Sequence, residues 1–437
     1  MGLSTRVGPF LALSLLVSAW SCEASSPGPQ AQFYIPPDCA GAGLMSANAA
    51  ASKAPAAPTN PPVSTAEQLA IFDQLVSTVN QQYVYPDFRG VDWPAIAADY
   101  RGHIAAGVST TTFYADMSAV ISALGDRHSS FLTPAEVAQQ NLQLADDNRH
   151  VGIGVQDLQL PDKGLLAITI VYPGSPAAHA GLKPHDSILM VGGRPVYENP
   201  KGFAGPRCSL ETLIVKSPGS APRQVSLVRD TVAGLTAIDA ELVHTTDGSR
   251  IGYIFIPTFD DLTIPGQISL ALTSFGPLDG LILDNRTNGG GLQQIMEDTL
   301  GYFTSGVLGR IVSRSGSQPF DVLSNPNAVA FAVPLVVLIS PHTYSAGELF
   351  SGMLKDEGRA KLVGSTTSGL IQRLNVFTLQ DGSQAWIATG YFDPAASHAD
   401  WAKTGIVPDV VVPAEWDTFT FDTDPAVAAA VKLLGHS

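Results

Sequence analysis

Apolar positions first recur at helical spacing just after residue 64. Leu69, Phe72, Val76 and Val79 share one face, and Ser64 with Glu67 has the spacing of a capping box. Phe113, Met117, Val120 and Leu124 mark a second helix, with Gly125 placed to end it. The pattern then shortens. Val151-Gly152-Ile153-Gly154-Val155 is an apolar run broken by glycines, Leu166–Val171 reads as a strand, and Ser175-Pro176-Ala177-Ala178 opens a short helix that stops at Gly181. Ser187–Val191 is another strand, turned at Gly192-Gly193. From about residue 236 strands and helices alternate. Ile251–Ile256, Gly280–Leu283 and Leu335–Ile339 are strands; Leu292–Phe303 and Ala346–Lys355 are helices; Asp381-Gly382 joins two later strands as a hairpin. The expected class is multidomain α+β, with a helical domain over 64–140, a β-rich module over 148–232 and an α/β core over 236–437.

Composition adds limits. The chain has 437 residues, enough for two or three domains, and 41 glycines with 32 prolines exclude a helical bundle or coiled coil. A net charge of −15 repels phosphate and speaks against nucleic acid as a partner. Arg6 followed by the apolar stretch Phe10–Trp20 has the form of an export signal over residues 1–21. Cleavage before Cys22 would make it the first mature residue, as in a bacterial lipoprotein tethered to a membrane, although Ala19 stands where such signals usually carry Leu; plain secretion is the alternative. Residues 22–63 are rich in Ala, Pro and Ser and read as a flexible tether, with Phe33, Tyr34 and Cys39 as places where part of it docks. An oxidising compartment would permit a Cys39–Cys208 bridge; two unrelated thiols are equally compatible with the sequence. No Cys/His cluster has zinc-ligand spacing, so neither metal nor cofactor is expected.

Three segments carry candidate chemistry. In Ser340-Pro341-His342-Thr343-Tyr344-Ser345-Ala346-Gly347-Glu348 an apolar strand gives way to a helix. A hydroxyl there sits among free backbone N–H groups that can also hold an oxyanion, so Ser345 is placed as a nucleophile; a plain N-cap would look the same. Asp284-Asn285-Arg286-Thr287-Asn288-Gly289-Gly290-Gly291 also follows a strand, and its glycines let backbone N–H groups approach a ligand. Asp284 and Arg286 read as a brace for that loop. Leu124-Gly125-Asp126-Arg127-His128-Ser129-Ser130-Phe131-Leu132 offers His128 as a general base.

Taken in order, with Gly405-Ile406-Val407-Pro408-Asp409 near the end, these segments resemble the C-terminal processing (tail-specific) peptidase family, whose broader group includes the tricorn core. The resemblance implies a serine peptidase of peptides or unfolded protein tails, with a PDZ-like module at 148–232 and a core of the ClpP/crotonase-like type. It makes Gly152, Ile153 and Gly154 the loop that holds a peptide C-terminal carboxylate. It makes Ser345 the nucleophile, with Gly290 and Ala346 as oxyanion donors. The lysine that bacterial and plastid members pair with the serine is replaced by Leu370, whereas the histidine of the tricorn-like branch is present as His128. That branch also uses a glutamate, and Ala402 stands at its place, leaving Asp400 and Glu348 as candidate supporting acids. The rival expectation is a non-enzyme: a PDZ scaffold of the cell envelope whose catalysis has decayed, or a holder of a small apolar ligand. Retention of Ser345, His128 and the glycine loop favours the enzyme.

Overall fold

Ser64 accepts the Glu67 N–H, and the Glu67 carboxylate accepts the Ser64 N–H at 2.8 Å, so two donors left over at a helix start are satisfied reciprocally. Helix α1 (Thr65–Gln82) therefore starts where the capping box predicts. The computed structural model describes residues 34–40, 58–145, 149–199, 203, 205–233, 238–326 and 332–436; the expected export signal, Cys22 and most of the expected tether lie outside these. Helices α2 (Trp93–Ala105) and α3 (Thr110–Ser122) follow, then a short strand β1 (Ser130–Leu132) and helix α4 (Pro134–Ala145).

The middle of the chain is β-rich. It holds β2 (Arg149–Gly152), β3 (Val155–Leu160), β4 (Leu165–Val171), the one-turn helix α5 (Pro176–His179) and β5 (Ser187–Val191). Strands β6 (Arg194–Pro195), β7 (Leu210–Lys216), β8 (Arg223–Val228) and β9 (Asp230–Ala233) complete it. Strands β3-β4-β5-β7-β8 form one antiparallel path with β6 on β5, and β2 pairs β9. Cys39 and Cys208 are joined as a disulfide, which fastens one piece of the tether to this module. The two cysteines are 169 positions apart in sequence, for which the chain-entropy model puts the contribution at about 5 kcal/mol.

The C-terminal part is built on β10 (Ala240–Val243), β11 (Ile251–Phe255), α6 (Ile264–Phe275), β12 (Gly280–Asp284) and α7 (Gln293–Leu300). It continues with β13 (Gly306–Ser313), β14 (Gly316–Val322), β15 (Leu335–Ile339), α8 (Ala346–Asp356) and β16 (Lys361–Gly364). The last elements are β17 (Arg373–Thr378), β18 (Gln384–Pro394), α9 (Trp401–Thr404), β19 (Val410–Val411) and α10 (Pro425–Leu433). The main sheet runs β10-β11-β12-β15-β16-β19, parallel from β11 onward. Every residue of β11, β12 and β15 is buried, which is why they read as unbroken apolar runs. Helices α6, α7 and α8 pack on one face. Helix α10, Trp416, Phe419 and residues of β4 share the core on the other, so the β-rich module rests on the main sheet.

The N-terminal helices do not close a core alone. Phe72, Phe113 and Met117 pack with Leu379, Ala385, Ile387 and Ala388 of the β17–β18 hairpin, more than 250 residues away. Strand β1 joins that hairpin directly, Phe131 opposite Ala385. This pairing carries the segment just after His128 onto the C-terminal part.

Candidate active site

Strands β12 and β15 are parallel neighbours, so their carboxyl ends open on the same edge. The loops that follow are tied together. Ser340 Oγ donates to the Arg286 carbonyl at 2.5 Å, Thr343 Oγ1 to the Asn285 carbonyl at 2.9 Å, and the Tyr344 N–H to the Asn288 carbonyl at 2.9 Å. The expected brace below them is present. Arg286 is buried between Asp284 and Asp424, and its guanidinium lies over Trp416 and Phe419. The two carboxylates hold its pKa well above the ordinary guanidinium value against the cost of burial.

Ser345 follows at the start of α8 with φ 51° and ψ −121°. A non-glycine residue held there carries strain of about 1–3 kcal/mol. Its side chain accepts no capping bond from its own helix and is partly exposed. It is therefore more than an N-cap, the alternative its sequence position allowed. Gly290 explains how the turn is tolerated: a Cβ there would stand 2.7 Å from the Ser345 Cβ and 3.0 Å from the Ala346 nitrogen. A Cβ on Gly347 would meet the Asn288 carbonyl at 2.7 Å, so two glycines let the loops close on the serine. Among the described residues the Ala346 N–H has no acceptor, as befits the first helical N–H. The Gly290 N–H donates to Asn288 Oδ1 at 2.9 Å.

Glu348 lies fully buried one turn along α8. Its carboxylate accepts Thr367 Oγ1, the Gly369 N–H at 2.6 Å and the Leu370 N–H at 2.8 Å. Burial pushes its pKa up, and these donors pull against that. The Leu370 carbonyl in turn accepts the Ser345 N–H at 3.0 Å. Glu348 is thus spent on fixing the 367–370 loop beside the nucleophile, with no hydrogen bond to His128.

The His128 turn also reaches this loop. Asp126 Oδ1 accepts the N–H groups of His128 (2.9 Å) and Ser129 (2.7 Å), and Oδ2 accepts Ser129 Oγ, which itself accepts the Ala388 N–H of β18. Arg127 donates to the Ser368 carbonyl at 2.6 Å. The His128 turn is therefore pinned to both the 367–370 loop and the hairpin. Burial lowers the His128 pKa below its ordinary value, offset in part by Asp126 and by Gln372. Among the described residues no hydrogen bond joins His128 to Ser345; both segments touch the 367–370 loop, through Arg127 on the Ser368 carbonyl and the Ser345 N–H on the Leu370 carbonyl. Gln372, only 2% exposed, adjoins both His128 and Tyr85 and acts on the pKa of each, although His128 Nδ1 and the two Gln372 amide atoms are not in well-formed hydrogen-bond geometry. Gln372 is the residue that sequence reasoning missed. It lies just before β17, and nothing in its local sequence marked it. Asp400 is exposed, outside the His128 environment, with its charge felt by Tyr85. Gly152, Ile153 and Gly154 link β2 and β3 in the β-rich module. The Ile153 carbonyl accepts the Ala177 N–H at 2.8 Å, and the Gly154 carbonyl accepts Ser175 Oγ at 3.2 Å.

A strained serine at a strand-to-helix turn, glycine-lined and with a free helical N–H beside it, is the arrangement of a candidate serine hydrolase site. Comparison with known proteins gives the particular family. Residues 250–412 match peptidase family S41, and residues 64–121 match the tricorn protease C1 domain. A carboxyl-terminal-processing protease of Synechocystis is 31% identical over 82% of this chain and 84% of its own length. One from Picosynechococcus is 30% identical over 82% and 86%. The photosystem II D1 C-terminal processing protease has the same fold, with TM-score 0.56 at 23% identity over 82% of this chain and 98% of that one. The chain belongs to peptidase family S41, the carboxyl-terminal-processing proteases, and is a serine-type peptidase. That membership does not favour the inactive scaffold.

Proposed function

We propose that the chain is exported and cleaves flexible polypeptide tails by acyl transfer through Ser345. The observation that carries this is the Ser345 turn itself: φ 51°, a glycine against its Cβ, and the free Ala346 N–H next to it. Ser345 attacks the scissile carbonyl. His128 takes its proton and later returns it to the leaving amine. The lowered His128 pKa suits a base that must be neutral near neutral pH. The Ala346 N–H and that of Gly290, once released from Asn288, stabilise the oxyanion. Catalytic hydrogen bonds are often open in the free enzyme and close with substrate, which fits the lack of a Ser345–His128 hydrogen bond among the described residues.

The orienting partner of His128 is Gln372 rather than Asp400 or Glu348. Gln372 adjoins His128 and opposes the fall of its pKa, and a small shift of the Gln372 amide would complete the hydrogen bond that His128 Nδ1 lacks in well-formed geometry. The β-rich module is a PDZ-like domain that takes the substrate C-terminus at Gly152–Gly154. The antiparallel path, the short helix on the Ile153 carbonyl and the positive φ of Gly154 support this. The Cys39–Cys208 disulfide supports export to an oxidising compartment, with Cys22 as a lipid tether to the envelope or plain secretion. No helix among the described residues is long and apolar enough to cross a membrane.

The test is cleavage of an unstructured polypeptide with an apolar C-terminus by wild type, Ser345→Ala and His128→Ala. Both variants are expected to lose cleavage. Retained cleavage by His128→Ala would put the base elsewhere, and equal rates for wild type and Ser345→Ala would remove the mechanism.

A further inference from the structure

Residues 34–40 lie on the β-rich module through three contacts of different kinds. Tyr34 stacks on His179 with ring centroids 3.7 Å apart. Asp38 Oδ2 accepts Arg207 Nη2 at 2.9 Å. Cys39, 1% exposed, is bridged to Cys208.

Both ends of this strap attach to neighbours of the Gly152–Gly154 loop. His179 belongs to α5, whose Ala177 N–H is bonded to the Ile153 carbonyl. Arg207 also donates from Nε to Asp230 at 2.7 Å, and Asp230 sits opposite Gly152 in the β2–β9 pair. Four residue steps separate Tyr34 from Asp38, a reach of at most about 14 Å. The strap therefore brackets the glycine loop. The N–H groups of Ile153 and Gly154 meet no backbone or side-chain acceptor among the described residues.

Arg207 has the features of a carboxylate receptor. Its side chain is 39% exposed, Asp230 fixes its Nε, and Nη1 has no partner among the described residues. The fork is oriented from behind and open in front. Arg229, by contrast, is buried on Glu211, and Arg223 is paired with Asp186. The group in front of Arg207 is itself a carboxylate, from Asp38, whose side chain is 74% exposed. An exposed pair of this kind is weak and readily exchanged. The disulfide keeps the competitor at a high local concentration.

We propose that Arg207 receives the C-terminal carboxylate of a polypeptide substrate, and that the Tyr34–Cys39 strap holds that place in the resting chain with Asp38 on Arg207. This rests on the reading of the module as peptide-binding. Substrate binding then exchanges one carboxylate for another.

The test uses the whole chain with Ser345→Ala, so that binding is read without turnover. Fluorescence anisotropy compares a labelled peptide with an apolar C-terminus as its free acid and as its C-terminal amide. The acid is expected to bind more tightly. Asp38→Asn, and separately Cys39→Ser with Cys208→Ser, should tighten the acid by about 3–10-fold and leave the amide unchanged. Arg207→Gln should erase the difference between acid and amide, and Arg207→Lys should keep most of it. An acid preference that survives Arg207→Gln, strap variants that leave acid binding unchanged or weaker, or no binding by any variant would each overturn the proposal. Wild type that cleaves acid and amide peptides equally well would keep the peptidase reading and sink this one.

Discussion

The two halves of the proposed catalytic apparatus are built differently. The nucleophile half comes from adjacent parallel strands, β12 and β15, whose loops are locked by short hydrogen bonds over a buried ionic brace. The base half is assembled from three distant pieces: the 126–129 turn, the 367–372 loop and the β17–β18 hairpin. The Ser129–Ala388 bond spans 259 residues. The nucleophile is thus fixed by the sheet, whereas the base depends on the helices and hairpin closing around it.

Variants can break or sharpen that contrast. The largest expected effect on stability is at the brace. Arg286→Met leaves Asp284 and Asp424 buried without a cation and should cost about 3–5 kcal/mol in urea or thermal unfolding. Gly290→Ala should act on the nucleophile half through contact, lowering kcat about 100- to 1,000-fold. Its far-ultraviolet circular dichroism should remain that of wild type. The smallest effects are at the base half. Gln372→Met should lower kcat about tenfold with KM little changed. Gln372→Glu places a carboxylate beside the imidazole and favours its charged form. It should move the acidic limb of the kcat/KM profile upward by about one pH unit. An unmoved limb with kcat retained would mean that Gln372 does not serve His128.

The difference between the halves also governs what the sequence discloses. Strands β11, β12 and β15 are buried on both faces and stand out as apolar runs, and α8 starts where Ser345-Ala346-Gly347-Glu348 suggests. Local spacing suffices for these, as it does for the capping box at Ser64. The β13–β14 hairpin is absent from the sequence reading because one of its strands, Gly316–Val322, is mostly exposed and polar. The expected helix over Leu292–Phe303 is confined to Gln293–Leu300. The merging of the N-terminal helices with the β17–β18 hairpin depends on contacts across most of the chain. Gln372 was silent for the same reason: what singles it out is burial beside His128, and nothing in its local sequence records that. The role of Glu348 was half legible. An acid one turn after the serine marks a helix start, but its three loop donors become visible only when residues 367–370 fold back over it.

The central claim is that Ser345 reacts through a neutral His128. The most direct measurement is the rate of labelling by an alkyl fluorophosphonate, followed by intact mass between pH 4 and pH 10. Burial lowers the His128 pKa, so the neutral form persists to more acidic pH than in a free histidine. Labelling should therefore be complete in rate above neutrality and fall as pH drops through a midpoint below about 6.5. The label should sit on Ser345, His128→Ala should abolish it, and His342→Ala, on the same turn as the serine, should not. A label on another residue, or a rate that still climbs toward pH 10 and survives His128→Ala, would contradict the account.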